Sequence, residues 1–324
     1  MFIGIPYRTD YFNGEEELIL SKKKKSKSFW RPLLAAPALF FLAPVSIGLY
    51  LTHPFPAKTT KTPREYGLEF EDIEFFSRQD QVKLSGWWIP AASKQSKKTV
   101  ITAHGYMNER AMEGIDGLQL AKVLSEHGYN VLMFDFRNTG KSKGRTTGIG
   151  YFERHDLYSA IEYGIQEKKQ EKIALLGWSM GAAAALIAGC EHPAVSVIIA
   201  DSPFSELGPF LKENLSYWTK LPKRPFTPII YHSMRILLKI DPTEVSPINH
   251  VKNTKGKAFF LIHSKTDEAI PYIESEKIVQ SISSDNHKEL WLTNDCPHIH
   301  SCLLNKKEYT LRVLRFLDMY LNLG

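Results

Sequence analysis

Apolar residues recur in short runs along most of the chain, and these runs alternate with segments of helical spacing. Two runs at about residues 68–76 and 82–89 precede six more, which read TVITAHG, YNVLMFDF, KIALLGWS, VSVIIADS, KAFFLIHS and KELWLT. Helical spacing is found near residues 115–127, 152–167, 180–190, 273–282 and 304–323. Apolar strands that alternate with helices predict an α/β fold with a mostly parallel central sheet and helices on both faces.

The alternation is interrupted after the sixth run. Residues 204–250 contain six prolines and several aromatic residues, namely Phe210, Tyr217, Trp218, Phe226 and Tyr231. An insertion over the carboxyl ends of the strands predicts a small lid. We expect its aromatic side chains to form mainly the lid's own core, since apolar residues of a folded insertion are usually buried, with substrate contact as the alternative.

The N-terminus has a different pattern. Residues 32–52, PLLAAPALFFLAPVSIGLYLT, contain 21 residues without a charge, and a helix of that length spans about 30 Å, the thickness of a bilayer core. Six basic residues lie within residues 22–31, whereas only three lie within residues 53–65. This asymmetry predicts one transmembrane signal anchor in the cell membrane, with residues 1–31 cytoplasmic and the remainder extracytoplasmic.

Two alternatives to an anchor are a buried core helix and a cleaved signal peptide. The small-residue cleavage pattern occurs only at Ala36 and Ala38, too early in the apolar run. Residues 53–65 are rich in Pro, Thr and Lys and lack an apolar period. They are predicted to be a linker to a domain formed by residues 66–324.

Charge and cysteine content exclude two classes of protein. The net charge is +6, of which residues 1–31 supply +3 from seven basic and four acidic side chains. The +3 spread over the other residues is too dilute for a nucleic-acid surface, which needs a clustered basic face. Three cysteines in 324 residues do not form a disulfide framework.

A G-x-S-x-G motif carries the first candidate for chemistry. Gly177, Ser179 and Gly181 lie between the run KIALLGWS and an alanine-rich helical segment. A serine on a sharp strand-to-helix turn projects its hydroxyl above the sheet, and the flanking glycines avoid clashes there. The motif predicts a nucleophilic Ser179. The glycines could instead serve only close packing of the helix on the sheet, and both interpretations can hold together.

A nucleophilic serine needs a base that is itself oriented by an acid. In a sheet with this turn, the acid and then the histidine follow the serine in chain order. Asp267 follows the apparent strand end at His263 by four residues and is the predicted acid. Glu268 and Asp201 are the alternatives, and a loop aspartate can also simply cap a helix.

The stretch DCPHIHSC follows the last run, where the base is expected. Its Cys296, His298, His300 and Cys302 alternate, so an extended chain would spread them over about 20 Å. Ligands of one zinc ion lie within about 2.0–2.3 Å of it, so all four cannot converge. One of the two histidines is the predicted base, while a zinc site with outside ligands and a disulfide between the two cysteines remain alternatives.

From about Tyr66 onward the chain resembles an α/β-hydrolase, close to the bacterial serine hydrolases akin to cinnamoyl esterases and to the catalytic domains of prolyl-oligopeptidase-like peptidases. AHGYMNER is similar to the family's His-Gly oxyanion loop, and FDFRNTGKSKG to its Asp-x-Arg-x-x-Gly-x-Ser turn. The resemblance implies that the backbone N–H groups of Tyr106 and Met180 form an oxyanion hole. The family's His-x-x-Ser ending implies that His298, rather than His300, is the base.

These observations predict a serine hydrolase that cleaves carboxylic esters or related acyl compounds through a Ser-His-Asp triad, without cofactor or metal. The expected partners are a small-molecule or lipid-like acyl ester and the membrane, not nucleic acid. NTGKS is similar to the end of a phosphate-binding loop, but Asp135 stands where that motif needs glycine. A prolyl-oligopeptidase-like peptidase and a non-catalytic binding protein on the same fold are the alternatives.

Overall fold

The computed structural model describes residues 46–55 and 57–321. Within them, eight strands form one sheet in the order β1-β2-β4-β3-β5-β6-β7-β8. β2 pairs antiparallel with both β1 and β4, and all other pairs are parallel. The strands are β1 (Glu71–Phe76), β2 (Lys83–Ile89), β3 (Lys98–Ala103), β4 (Asn130–Asp135), β5 (Lys172–Trp178), β6 (Val195–Asp201), β7 (Ala258–Ser264) and β8 (His287–Thr293).

Helices precede, connect and follow these strands. Short 3-10 turns at Pro63–Tyr66, Glu113–Ile115 and Pro242–Glu244 accompany them. The helices are α1 (residues 46–52), α2 (Gly117–Glu126), α3 (Glu153–Gln166), α4 (Met180–Glu191), α5 (Leu207–Thr219), α6 (Lys223–Leu237), α7 (Pro247–Asn253), α8 (Ile273–Ser281), α9 (Ser301–Leu304) and α10 (Lys306–Tyr320).

The core consists of two apolar layers, one on each face of the sheet. Successive strand residues alternate between them, so that Ile101 belongs to the layer that α3 and α4 cover and Val100 to the layer that α2 and α10 cover. Side chains of neighbouring strand residues point to opposite faces, which explains why strands buried on both sides are apolar throughout. The predicted mostly parallel sheet with helices on both faces is confirmed.

The proline-rich interval is helical. α5 and α6 pack on each other and on Ala183 and Ile187 of α4. Phe210 and Tyr231 are buried there as expected, whereas Trp218 is 43% exposed. The lid therefore has its own core but also leaves aromatic side chains at the surface.

The predicted membrane span falls mostly outside the described residues, which begin at residue 46. Among the described residues, none of the helices is both long and apolar enough to cross a bilayer. α1, the end of the predicted span, packs on α6, where a Cβ on Gly48 would lie 2.9 Å from Ser233 Oγ. Thr147 N–H also donates to the Thr52 carbonyl at 2.7 Å. These last seven residues of the predicted span thus contact α6 and the loop that carries Thr147.

The predicted linker also contacts the domain. The Thr59 hydroxyl donates to Glu109 at 3.0 Å, and the Thr60 backbone N–H donates to Glu113 at 2.7 Å. These hydrogen bonds restrict residues 59 and 60 more than a free linker would be restricted.

A buried ion pair fixes the loop that follows β3. Asp135, at the end of β4, accepts from the backbone N–H of Arg110 at 2.8 Å and from its Nε at 2.9 Å. Lys141 N–H donates to the same carboxylate at 2.8 Å. Gly140 has φ 48°, and a Cβ there would lie 2.0 Å from Asp135 Oδ2, so only glycine fits. The Asp-x-Arg-x-x-Gly-x-Ser turn therefore anchors the loop that carries Tyr106.

Candidate active site

Ser179 occupies a strained turn between β5 and α4. Its φ of 55° and ψ of −120° lie in a region that residues other than glycine rarely adopt. A Cβ on Gly177 would lie 2.4 Å from the Gly181 carbonyl oxygen, and one on Gly181 would lie 2.1 Å from the Ala103 carbonyl oxygen. Both glycines of the motif are thus required by close backbone approach, and together they hold the serine in this conformation.

The structure brings Ser179, His298 and Asp267 together at the carboxyl edge of the sheet. His298 Nε2 lies 2.8 Å from Ser179 Oγ, and His298 Nδ1 lies 2.6 Å from Asp267 Oδ2. The serine follows β5, the aspartate follows β7 and the histidine follows β8, so the ends of nearby parallel strands supply all three. The geometry is that of a serine nucleophile, a base and an orienting acid.

The alternative acid and base have other contacts. The Asp201 carboxylate accepts from the Ser202 hydroxyl at 2.9 Å, and burial raises the pKa of Asp201 to about 6. His300 Nδ1 donates to the backbone carbonyl of His298 at 2.7 Å. Neither side chain takes the place of Asp267 or His298 in the hydrogen-bonded chain.

Several donors hold the Asp267 carboxylate. Its Oδ1 accepts from the backbone N–H groups of Ala269 and Ile270, both at 2.9 Å. Its Oδ2, which faces His298, also lies 3.3 Å from His263 Nε2. Burial alone would raise the pKa of Asp267, but hydrogen bonds from the two histidines outweigh it and hold that pKa well below its usual range. The carboxylate is therefore ionised and fixed in orientation.

Sequence reasoning missed the contribution of His263. Its ring is fully buried, with Nδ1 2.7 Å from Ser275 Oγ and Nε2 2.9 Å from the Ile270 carbonyl oxygen. The signal was present as a histidine four residues before Asp267 in IHSKTD. His263 supports the loop that carries the acid as well as the acid itself.

The two segments that carry the predicted oxyanion amides both lie close to Ser179. Met180 is the first residue of α4, and Gly105, which precedes Tyr106, would place a Cβ 3.4 Å from Ser179 Cβ. His104 fixes this loop: its Nε2 accepts from Phe136 N–H at 3.0 Å and its Nδ1 lies 2.8 Å from the Gly105 carbonyl oxygen. Burial lowers the pKa of His104, so its ring stays neutral and serves as a fixed support.

The cysteines of DCPHIHSC are not linked. Cys296 and Cys302 are both buried and free, and Asn305 donates to Cys296 Sγ at 3.1 Å. Throughout residues 46–55 and 57–321, no three or more His, Cys, Asp or Glu side chains are arranged to hold a metal ion. Of the four alternating residues, His298 is the one whose side chain contacts Ser179.

Comparison with known proteins agrees with this architecture. A family model described as "Serine aminopeptidase, S33" matches residues 94–253. The esterase Pf2001 of Pyrococcus furiosus is 31% identical, with a TM-score of 0.69 over 83% of this chain and 99% of its own. The protein YqkD of Bacillus subtilis is 26% identical over 89% of this chain and 97% of its own length. The α/β hydrolase GrgF of Penicillium shares the fold at 19% identity and a TM-score of 0.60.

The identity to Pf2001 extends over almost the whole of that esterase. It also covers 83% of this chain, so the similarity is not confined to one motif. The chain therefore belongs to the α/β-hydrolase superfamily of serine hydrolases.

Proposed function

We propose that this protein is a serine hydrolase that cleaves carboxylic esters through a covalent acyl-enzyme intermediate. The observation that carries the proposal is the continuous hydrogen-bonded chain from Ser179 Oγ through His298 to Asp267, with distances of 2.8 and 2.6 Å. A serine hydroxyl is a weak nucleophile unless a base removes its proton, and this chain supplies that base.

In the first half of the reaction, Ser179 Oγ attacks the ester carbonyl while His298 Nε2 takes the serine proton. Asp267 holds the imidazole with Nδ1–H toward itself and stabilises the imidazolium that forms. The N–H groups of Met180 and Tyr106 stabilise the negative oxygen of the tetrahedral intermediate. Loss of one such donor typically lowers turnover by about 10²- to 10³-fold.

In the second half, His298 returns the proton to the departing alcohol as the tetrahedral intermediate collapses to the acyl-enzyme. Water then attacks the acyl group with His298 again as base, and the carboxylic acid leaves as Ser179 regains its proton. Each proton taken by His298 is thus returned to a leaving oxygen, and the ring ends in the state in which it began.

Esters are the proposed substrates because the 31% identical relative is described as an esterase. The family model named for a serine aminopeptidase supports the alternative, cleavage of a peptide bond. The test compares p-nitrophenyl esters with aminoacyl p-nitroanilides, using the full chain and its Ser179→Ala variant. We expect ester hydrolysis that the substitution abolishes. Preferential hydrolysis of the anilides, or equal ester hydrolysis by the variant, would reject the proposal.

We further propose that the apolar N-terminal run attaches the enzyme to the cell membrane, with the catalytic domain extracytoplasmic. The support is the sequence: a charge-free run preceded by clustered basic residues. Because α1 contacts the domain, the attachment in this proposal lies before residue 46. Carbonate washing of membranes tests it, since an integral anchor keeps the protein in the pellet, and release into the supernatant would contradict it.

A further inference from the structure

An apolar cavity opens beside Ser179, beneath the lid. It holds about 70 Å³, several times the volume that a single water-sized probe needs. Its walls come mainly from Leu51, Phe204, Phe210, Leu211, Leu215 and Ile270. The space next to the nucleophile therefore suits a short apolar chain and offers little to a polar group.

Leu51 gives this cavity a wall from outside the matched family region. It belongs to α1, whereas the family model begins at residue 94. Ile47 and Leu51 pack against the lid core, and the contacts of Gly48 and Thr52 described above hold the helix in place. A segment that sequence analysis assigned to the membrane thus contributes to the site.

α1 is also tied to the loop of the predicted oxyanion hole. The Tyr106 hydroxyl donates to the Leu51 carbonyl at 2.6 Å. Burial raises the pKa of Tyr106, so this hydroxyl remains protonated and keeps its role as donor. Tyr106 lines the cavity and follows Gly105, which lies close to Ser179. Tyr106 therefore connects α1 to the cavity beside Ser179.

A second cleft shows which half of the substrate enters the apolar cavity. It adjoins His298 and is lined by polar and small residues that include Thr266, Glu268 and Asp295. The base returns its proton to the leaving group, so the leaving group lies on the histidine side. The acyl group then extends the other way, from Ser179 into the apolar cavity.

We propose that α1 forms the wall of an acyl-binding pocket and that, with Leu51 in place, the enzyme prefers esters with an apolar acyl chain such as hexanoyl over acetyl esters. This inference rests on the proposed esterase function and specifies its substrate class. Burial of each methylene contributes about fourfold to binding, so hexanoyl, with four methylenes more than acetyl, gains up to about 200-fold.

The test measures kcat/KM of the full chain with p-nitrophenyl acetate, hexanoate and decanoate. In Leu51→Trp the larger ring fills the cavity, so the hexanoate-to-acetate ratio should fall at least tenfold. In Leu51→Ala the cavity lengthens, so the preference should move from hexanoate toward decanoate. The matched control is Leu49→Trp, on the same helix at a position that is 39% exposed, which should leave the ratio unchanged.

A change in chain-length preference in opposite directions in the two Leu51 variants would indicate a pocket wall. A general loss of folding would instead lower kcat/KM for all three esters together. An unchanged ratio in both variants, or an equal fall in Leu49→Trp, would overturn the acyl-pocket proposal while leaving the esterase proposal standing. If the wild type hydrolyses none of the three esters, both proposals fail.

Discussion

Replacement of Asp267 by asparagine changes one atom and is expected to disable the enzyme without unfolding it. The side chain keeps its size, and its amide oxygen can still accept from the N–H groups of Ala269 and Ile270 at the position of Oδ1. The amide NH₂ must then occupy the position of Oδ2, because the opposite orientation would place NH₂ against those two donors. That NH₂ group faces His298 Nδ1, which lies 2.6 Å from Oδ2 in the wild type.

A donor at this position changes the tautomer of His298. Nδ1 must accept, so the ring proton moves to Nε2 and points toward Ser179 Oγ, 2.8 Å away. Nε2 can then no longer take the serine proton. A triad with the wrong tautomer loses about 10⁴ in kcat, which corresponds to about 5 kcal/mol of transition-state stabilisation.

The assay is steady-state hydrolysis of the best p-nitrophenyl ester, with far-UV circular dichroism and thermal unfolding to verify the fold. The matched control is Asp285→Asn, at a surface aspartate that pairs with Lys255, and its kcat should stay within about twofold of the wild type. A fall of less than tenfold in Asp267→Asn would refute the assignment of Asp267 as the orienting acid.

Three further substitutions test the supports of the site. Gly181→Ala places a methyl group 2.1 Å from the Ala103 carbonyl oxygen. The free energy of unfolding in urea should fall by about 1–3 kcal/mol and kcat at least tenfold. Wild-type activity would contradict the geometry. Asp135→Asn leaves the buried charge of Arg110 without its partner and should lower the free energy of unfolding by about 3–5 kcal/mol, so a loss below about 1 kcal/mol would argue against this support. Burial raises the pKa of Asp201 from 3.8 to about 6, so the folded state keeps a proton that the unfolded state loses, and wild-type stability falls as pH rises through this window. Asp201→Asn removes that fall, and its stability relative to the wild type should increase by about 2 kcal/mol between pH 4 and pH 7, whereas a constant difference would contradict the shift.

The sheet and the serine turn were predictable because their signals are local. Each strand buried on both faces must be apolar along its length, and β7 is buried at every position. The turn was predictable because the close backbone approach around Ser179 requires glycine at positions 177 and 181, and both glycines are visible in the sequence. Asp267 and the pair His298 and His300 followed from their places after strands, since parallel strands end at one edge of the sheet, whereas the choice of His298 rested on the family resemblance.

The role of α1 was not predictable from the same kind of pattern. An apolar run predicts only that its side chains are buried away from water. It does not distinguish burial in a lipid bilayer from burial in a protein core. Whether Leu51 faces a bilayer or a lid depends on residues almost two hundred positions away, such as Ile230 and Ser233. The contacts of Thr59 and Thr60 with glutamates about fifty residues later have no local pattern either.

The lid shows a third limit. The sequence predicted a lid here without specifying its helices, and α6 spans Lys223–Leu237 with Pro228 inside it. The backbone at Arg224 is not helical, so the regular helix starts after it and both Pro225 and Pro228 fall in or near its first turn. Proline is tolerated there because the first N–H groups of a helix have no intrahelical acceptor. The proline content therefore marked helix starts rather than the absence of helices.

The central claim is that Ser179 is an activated nucleophile, and labelling with a fluorophosphonate probe tests it most directly. The full chain, Ser179→Ala and His298→Ala are treated with the probe, and the labelled peptide is identified by mass spectrometry. The account predicts one labelled site, Ser179, with labelling abolished in the first variant and strongly reduced in the second. A folded wild-type protein that takes up no probe, or takes it up at another residue, would contradict it.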